Sequence, residues 1–205
     1  VSGPTVKAPW LLARFAQAAV AAAAVAEVAR AVTVRAHALR PLDTPESTSG
    51  QVSQVYVNLM IVAAALFLVW FTRSWRIARA LSPNPLPGSA PWAVFSWLIP
   101  VINMWVPRGL VLDVLRASGP GAVGRRDRVL VNVWWATWIG HALVAVVSSG
   151  PGQATSPALL LVAEGLELAA AALAIAVIQR ITARQAAALG STFPAPGVAS
   201  LPPLP

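Results

Sequence analysis

The chain contains no cysteine. That excludes disulfide scaffolds, Cys-ligated zinc, iron–sulfur clusters and thiol catalysis. It has little charge: Asp, Glu, Lys and Arg make up 11% of 205 residues, against roughly a quarter in a soluble domain. Only seven residues are acidic and only two are histidine, too few for a His-rich metal site. The soluble-enzyme motifs are missing as well. There is no G-x-x-x-x-G-K-S/T, no H-E-x-x-H and no G-x-S-x-G. No cofactor or metal is expected.

What is present is apolar. Hydrophobic types supply 57% of the chain and the mean hydropathy is +0.68. So little polar surface cannot cover a globule in water, which excludes an ordinary soluble enzyme and a disordered chain. The expected class is an all-α, polytopic integral membrane helix bundle. The net charge of +8 comes from arginine, with Lys7 the only lysine. These cations flank apolar runs, which fits the positive-inside signal better than a phosphate-tracking groove. No nucleic-acid partner is expected. Arginine in place of lysine, with abundant alanine, points to a GC-rich bacterial genome.

A spanning helix needs about 20 mostly apolar residues. Candidate spans lie at about 9–34, 54–71, 129–148 and 158–178. The first is Ala-rich and carries Arg14, Glu27 and Arg30; it reads as a helix rather than a cleaved signal peptide. Residues 35–53 read as a polar loop, and 149–157 as an uncharged turn. The apolar run from Trp92 to Val106 is short for a crossing and has Pro100 in its middle. An amphipathic stretch follows at 108–118. From Gly190 the chain carries five prolines and reads as an extended tail over 190–205, beyond a single transmembrane domain of 1–189.

The 92–106 run decides topology. If it crosses, the arginines on either side of it fall on opposite faces and the bias nearly cancels. If it enters and leaves on one side, Arg73, Arg76, Arg79, Arg108, Arg116, Arg125, Arg126, Arg128, Arg180 and Arg184 all face that side with Lys7. The expectation is therefore four spans plus one re-entrant or interfacial Trp/Pro segment, with five crossings as the alternative. Both termini would be cytoplasmic, in a bacterial cell membrane.

Three patterns are candidates for function. The first is intramembrane polarity. Glu27, Asn58, His141, Glu164 and Glu167 fall at similar depth on four helices, and ionisable groups in a membrane are functional candidates by default. Glu164 and Glu167 are i,i+3 neighbours, so the pair would tend to share a proton, with His141 as partner. Glu27 with Arg30 reads as an internal ion pair, and Asn58 as helix–helix glue. The second pattern is aromatic. Trp97, Trp105, Trp134, Trp135 and Trp138, with Pro100 and Asn103, suggest either an interfacial belt or a packed collar around the re-entrant segment. The third is Arg73, Arg76 and Arg79 with Arg125, Arg126 and Arg128, which suits anionic lipid headgroups.

Several blocks occur in order: FLVWFTRSWRIARAL at 67–81, PWAVFSWLIPVINMWVPRGLVLDVLRAS at 91–118, VNVWWATW at 131–138 and QRITARQ at 179–185. On these blocks Phe67 to Gln185 resembles the domain-of-unknown-function 4328 family of actinobacterial membrane proteins. The resemblance implies a multi-helix membrane fold and no activity. The leading expectation is a small non-catalytic accessory subunit or partner-binding module, in contact with lipid, other membrane subunits or itself. The alternatives are a membrane enzyme using Glu164, Glu167 and His141 on a lipid or prenyl substrate, and a proton-coupled transporter.

Overall fold

The computed structural model describes residues 7–40, 46–82, 86, 88–119, 122–148 and 157–192. Among these the secondary structure is helical, without strands. The elements are α1 (Trp10–Leu39), α2 (Glu46–Leu81), α3 (Ala90–Leu98), a 3-10 turn (Ile102–Met104), α4 (Val106–Ala117), α5 (Arg125–Ser148) and α6 (Pro157–Thr192). Four helices are long and apolar enough to cross a membrane: those over Trp10–His37, Ser47–Leu81, Arg125–Val147 and Leu161–Gly190. The protein is therefore an all-α bundle with four candidate spans.

α3 has nine residues, far short of the ~20 that a crossing needs. The five-crossing alternative has no helix to make it. The chain leaves α2 and enters α5 at the same end of the bundle, since Gln185 of α6 bonds to Ser74 of α2, and Arg180 and Arg184 bond to Asp127 of α5. The intervening segment dips inward between them. Trp97 reaches the level of Phe67 and Phe71, one to two helical turns inside Arg73.

Two boundaries differ from the sequence reading. Residues 35–39 and 46–53 are helical rather than looped. Arg35, Ala36 and Ala38 are good helix formers, so α1 continues past the apolar run as far as Leu39, ahead of Pro41, and α2 begins directly after Pro45. Likewise α6 runs on through Gly190 to Thr192, and the proline tail beyond it lies outside the described residues, as does most of the 149–157 turn.

The re-entrant geometry is locally encoded. Gly88 sits at φ +85, where a side chain would be strained, and an added Cβ would come within 2.8 Å of the Trp92 ring. The Ser89 hydroxyl caps α3 by accepting from Trp92 N–H at 3.4 Å, with Pro91 in the first turn. Pro100 lacks an N–H and stands in the turn where α3 stops. The freed backbone is satisfied close by. Asn103 N–H donates to the Ile99 carbonyl at 2.8 Å, and the Trp135 indole N–H donates to the Met104 carbonyl at 3.0 Å. α4 then returns as an amphipathic helix, burying Leu110, Val111, Leu112, Val114 and Leu115.

The side-by-side order is α2, α1, α6, α5. α2 and α5 scarcely approach each other by their backbones. Between them the gap is filled by Trp97, which meets Phe67 and Phe71 of α2 and Trp134 and Trp135 of α5 at centroid distances of 5.0 to 6.2 Å.

Candidate functional site: a cavity between a polar layer and an aromatic collar

At the arginine-rich end the bundle is closed. Trp70, Phe71 and Trp75 are buried, and the Trp70 indole donates to the Thr182 hydroxyl at 3.2 Å. Gln185 is fully buried; its amide donates to the Ser74 carbonyl at 2.7 Å and to the Ser118 hydroxyl at 3.2 Å, tying α2, α4 and α6 together. Asp127 is buried between Arg180, at 2.6 Å, and Arg184, at 2.8 Å. This acid is the one residue of the run 125–128 that points inward. Arg125, Arg126 and Arg128 are exposed, as are Arg73, Arg76 and Arg79. The six expected headgroup contacts thus form an outward cationic fringe, with Arg79 also lying over the Trp75 ring at 5.4 Å.

The collar sits one step inward. Trp134 and Trp135 pack edge to face at 5.5 Å, and Trp138 stacks on Trp135 at 5.0 Å. Trp97 joins them, but Trp105 does not. It is 59% exposed and faces away from the bundle, because the short 3-10 turn rotates the chain between Asn103 and Trp105. Pro100 is likewise exposed; its role is the backbone break.

Above the collar, away from the arginine-rich end, the helices part around a cavity of about 340 Å³. That lies within the ~300–1,000 Å³ typical of small-ligand sites. Small side chains make the space: Ala23 on α1, Ala63 and Ala64 on α2, and Ala170, Ala171 and Ala174 on α6. Trp97, Asn103, Trp134 and Trp138 close its floor, and Tyr56, His141 and Glu167 line the other end. Three buried polar atoms on this wall lack a hydrogen-bond partner in the protein, among the described residues. They are Trp97 Nε1, Asn103 Oδ1 and Glu167 Oε2.

The polar end is a chain of contacts across four helices. Arg30 forks onto buried Glu27, with Nε donating to one carboxylate oxygen at 2.5 Å and Nη2 to the other. The Arg30 guanidinium lies over the Tyr56 ring at 5.2 Å. The Tyr56 hydroxyl donates to Glu167 Oε1 at 2.8 Å. Glu167 Oε2 faces His141 Nε2 at 3.6 Å, and His141 Nδ1 lies 3.1 Å from the Ala163 carbonyl. That carbonyl accepts, so Nδ1 donates to it and Nε2 is the ring nitrogen turned towards Glu167.

The sequence-expected residues therefore separate. His141 and Glu167 come together, while Glu164 is not on the cavity wall. The Glu27–Arg30 pair forms along one helix turn. Asn58 is exposed and accepts only from Gln54 of its own helix, at 3.1 Å. Tyr56 takes the place in the layer that Asn58 was expected to fill. No group of three or more His, Asp or Glu among the described residues could hold a metal.

The blocks that carry the sequence resemblance meet at the closed end and the collar. Residues 42–183 match the family model described as Domain of unknown function (DUF4328). The chain belongs to that family. The match takes in the whole of α2 and reaches upstream of the blocks at 67–185, so Tyr56 lies within the DUF4328 region and α1 lies outside it. Neither a curated protein nor a solved structure matches the chain.

Proposed function

We propose that this DUF4328 protein is a small, non-catalytic, multi-pass membrane protein that binds an amphipathic ligand inside its bundle. The observation that carries this reading is the cavity itself: about 340 Å³ of mostly apolar wall, with polar atoms at both ends that no protein group satisfies. Buried polar atoms without partners are uncommon and ask for an explanation. A ligand with an apolar body and a polar group supplies one. The collar tryptophans favour this over a role as a partner-docking surface, because Trp97, Trp134 and Trp135 are spent on packing against each other. An acid–base enzyme is less well supported, since the two-carboxylate pair it would use is divided between the cavity wall and the helix exterior.

The setting we infer is a bacterial, in particular actinobacterial, cell membrane, supported by the arginine- and alanine-rich composition. The arginine-rich end and both termini would lie on the cytoplasmic side, with the outward arginines against anionic headgroups. An accessory role in a membrane complex would follow from holding the ligand for a second protein.

The test is purification in mild detergent followed by native mass spectrometry. A ligand retained by the wild type and lost from Ala63→Phe, which fills the cavity, supports the reading. A wild-type protein without retained mass that also fails to take up any added amphiphile contradicts it. Single Cys probes in this cysteine-free chain test the sidedness: labelling of 88–90 and 122–124 from opposite faces would refute it.

A further inference from the structure

The polar end of the cavity has a definite hydrogen-bonding sense, which bears on what it can hold. Glu27 and Arg30 neutralise each other through a two-point contact, so the Arg30 charge is already engaged. Tyr56 has one proton to give and gives it to Glu167 Oε1. The rest of the layer presents acceptors. Glu167 Oε2 is buried and without a hydrogen-bond partner, and His141 Nε2 faces it at 3.6 Å, beyond hydrogen-bond reach. At that distance the two do not hydrogen-bond to each other. They form a cleft for a group that donates.

Charge points the same way. With Glu27 matched by Arg30, Glu167 is the carboxylate of the layer with no cation within hydrogen-bond distance, His141 Nε2 standing 3.6 Å from Oε2. A buried charge is held economically only when it is paired. An anionic head would bring like charge against Glu167 and meet no free donor. A hydroxyl would satisfy one acceptor and leave the charge. An ammonium has three donors and a positive charge, and so meets Glu167 Oε2 and His141 Nε2 together. Below it the wall is apolar along α6 from Glu167 to Ala174, roughly 10 Å at 1.5 Å per residue. Trp97 and Trp138 contribute aromatic surface to this lining.

We propose that the cavity selects a single-chain lipophilic amine, its protonated primary amine seated between Glu167 and His141 and its chain running towards the tryptophan floor. This rests on the ligand-binding reading above and narrows it to one chemical class. Glu167 supplies the charge and one acceptor. His141 supplies the second acceptor, and the Ala163 carbonyl fixes its tautomer. Tyr56 holds the carboxylate in place, and it is itself covered by the Arg30 guanidinium.

The experiment is a native mass-spectrometry titration of the full chain in mild detergent at neutral pH. Decylamine, decanol and decanoic acid are the probes, with wild type, Glu167→Gln and Ala63→Phe compared. The expected result is saturable binding of one decylamine per chain, at least tenfold tighter than decanol, with decanoic acid weakest. Glu167→Gln should lower decylamine affinity at least tenfold and leave decanol within about twofold. The wild-type order of the three heads tests the proposal even if Glu167→Gln fails to fold. Equal binding of the three heads, or an amine preference that survives in Glu167→Gln, overturns the amine assignment and leaves the cavity reading standing. Binding of every probe that Ala63→Phe does not reduce overturns both, because the probes would then sit outside the cavity.

Discussion

The two halves of the bundle solve different problems with the same four helices. The arginine-rich half is closed: large indoles fill it, and Gln185, Thr182, Ser118 and Asp127 each bond to a group on another helix or back along their own. The opposite half is lined with alanine where the helices face each other, and it leaves polar atoms without partners. Where volume is used up, the structure is a clamp, even though Ser74 Oγ and Gln185 Oε1 there lack hydrogen-bond partners. Where volume remains beside the unpartnered atoms, the proposed ligand site lies. The contrast teaches that the aromatic content serves mainly the fold, and that the candidate chemistry lies where aromatics thin out.

The largest expected effect comes from opening the closed half. Trp135→Ala removes a buried indole that packs on Trp97, Trp134 and Trp138 and bonds to the Met104 carbonyl. It should cost about 3–5 kcal/mol, read as a large drop in melting temperature in detergent. An equal loss from Ala63→Leu, in the other half, would erase the distinction between the halves, because that change adds volume where space exists. Gln185→Leu comes next. It leaves the Ser74 carbonyl and the Ser118 hydroxyl without this donor, at about 1–3 kcal/mol. Gly88→Ala should cost a similar ~1–3 kcal/mol, from its positive φ and the contact with Trp92. Asp127→Asn weakens both arginine contacts. Arg180 is half exposed and partly screened, so about 1–2 kcal/mol is expected, shrinking at high salt for the Arg180 share. The smallest effect is Glu167→Gln, within about 1 kcal/mol in stability while changing what the cavity binds, because the Gln oxygen can still accept from Tyr56. If Glu167→Gln instead melts the protein as Trp135→Ala does, the polar layer is structural.

Much of the fold was legible in the sequence because its signals are local. Apolar runs of sufficient length marked the four spans, and Pro100 marked the break between α3 and α4. Helix ends were less legible, because arginine and alanine continue a helix past the point where hydropathy falls. The site was legible by halves. His141 and Glu167 stood out as ionisable groups in apolar runs. Glu164 did too, but it lies one turn nearer the end of α6 and about 60° further round it, enough to leave the cavity wall. Tyr56 was missed because a single tyrosine at the start of an apolar run reads as an interfacial residue. Asp127 was missed because it sits in a run of arginines that reads as a topology signal. The cavity itself has no sequence signature: Ala63, Ala170 and Ala174 are ordinary helix formers, and only the packing of α1, α2 and α6 turns their small size into space.

α1 lies outside residues 42–183, yet it packs on both α2 and α6 and supplies Val20, Ala23 and Ala24 to the cavity wall. Without it, the remaining helices would present a trough open along its length to the bilayer. The hydrophobic face left by α1 would be available to lipid chains, and Tyr56 and Glu167 would lose the Glu27–Arg30 pair beside them. The first helix thus closes the side of the cavity that residues 42–183 leave open.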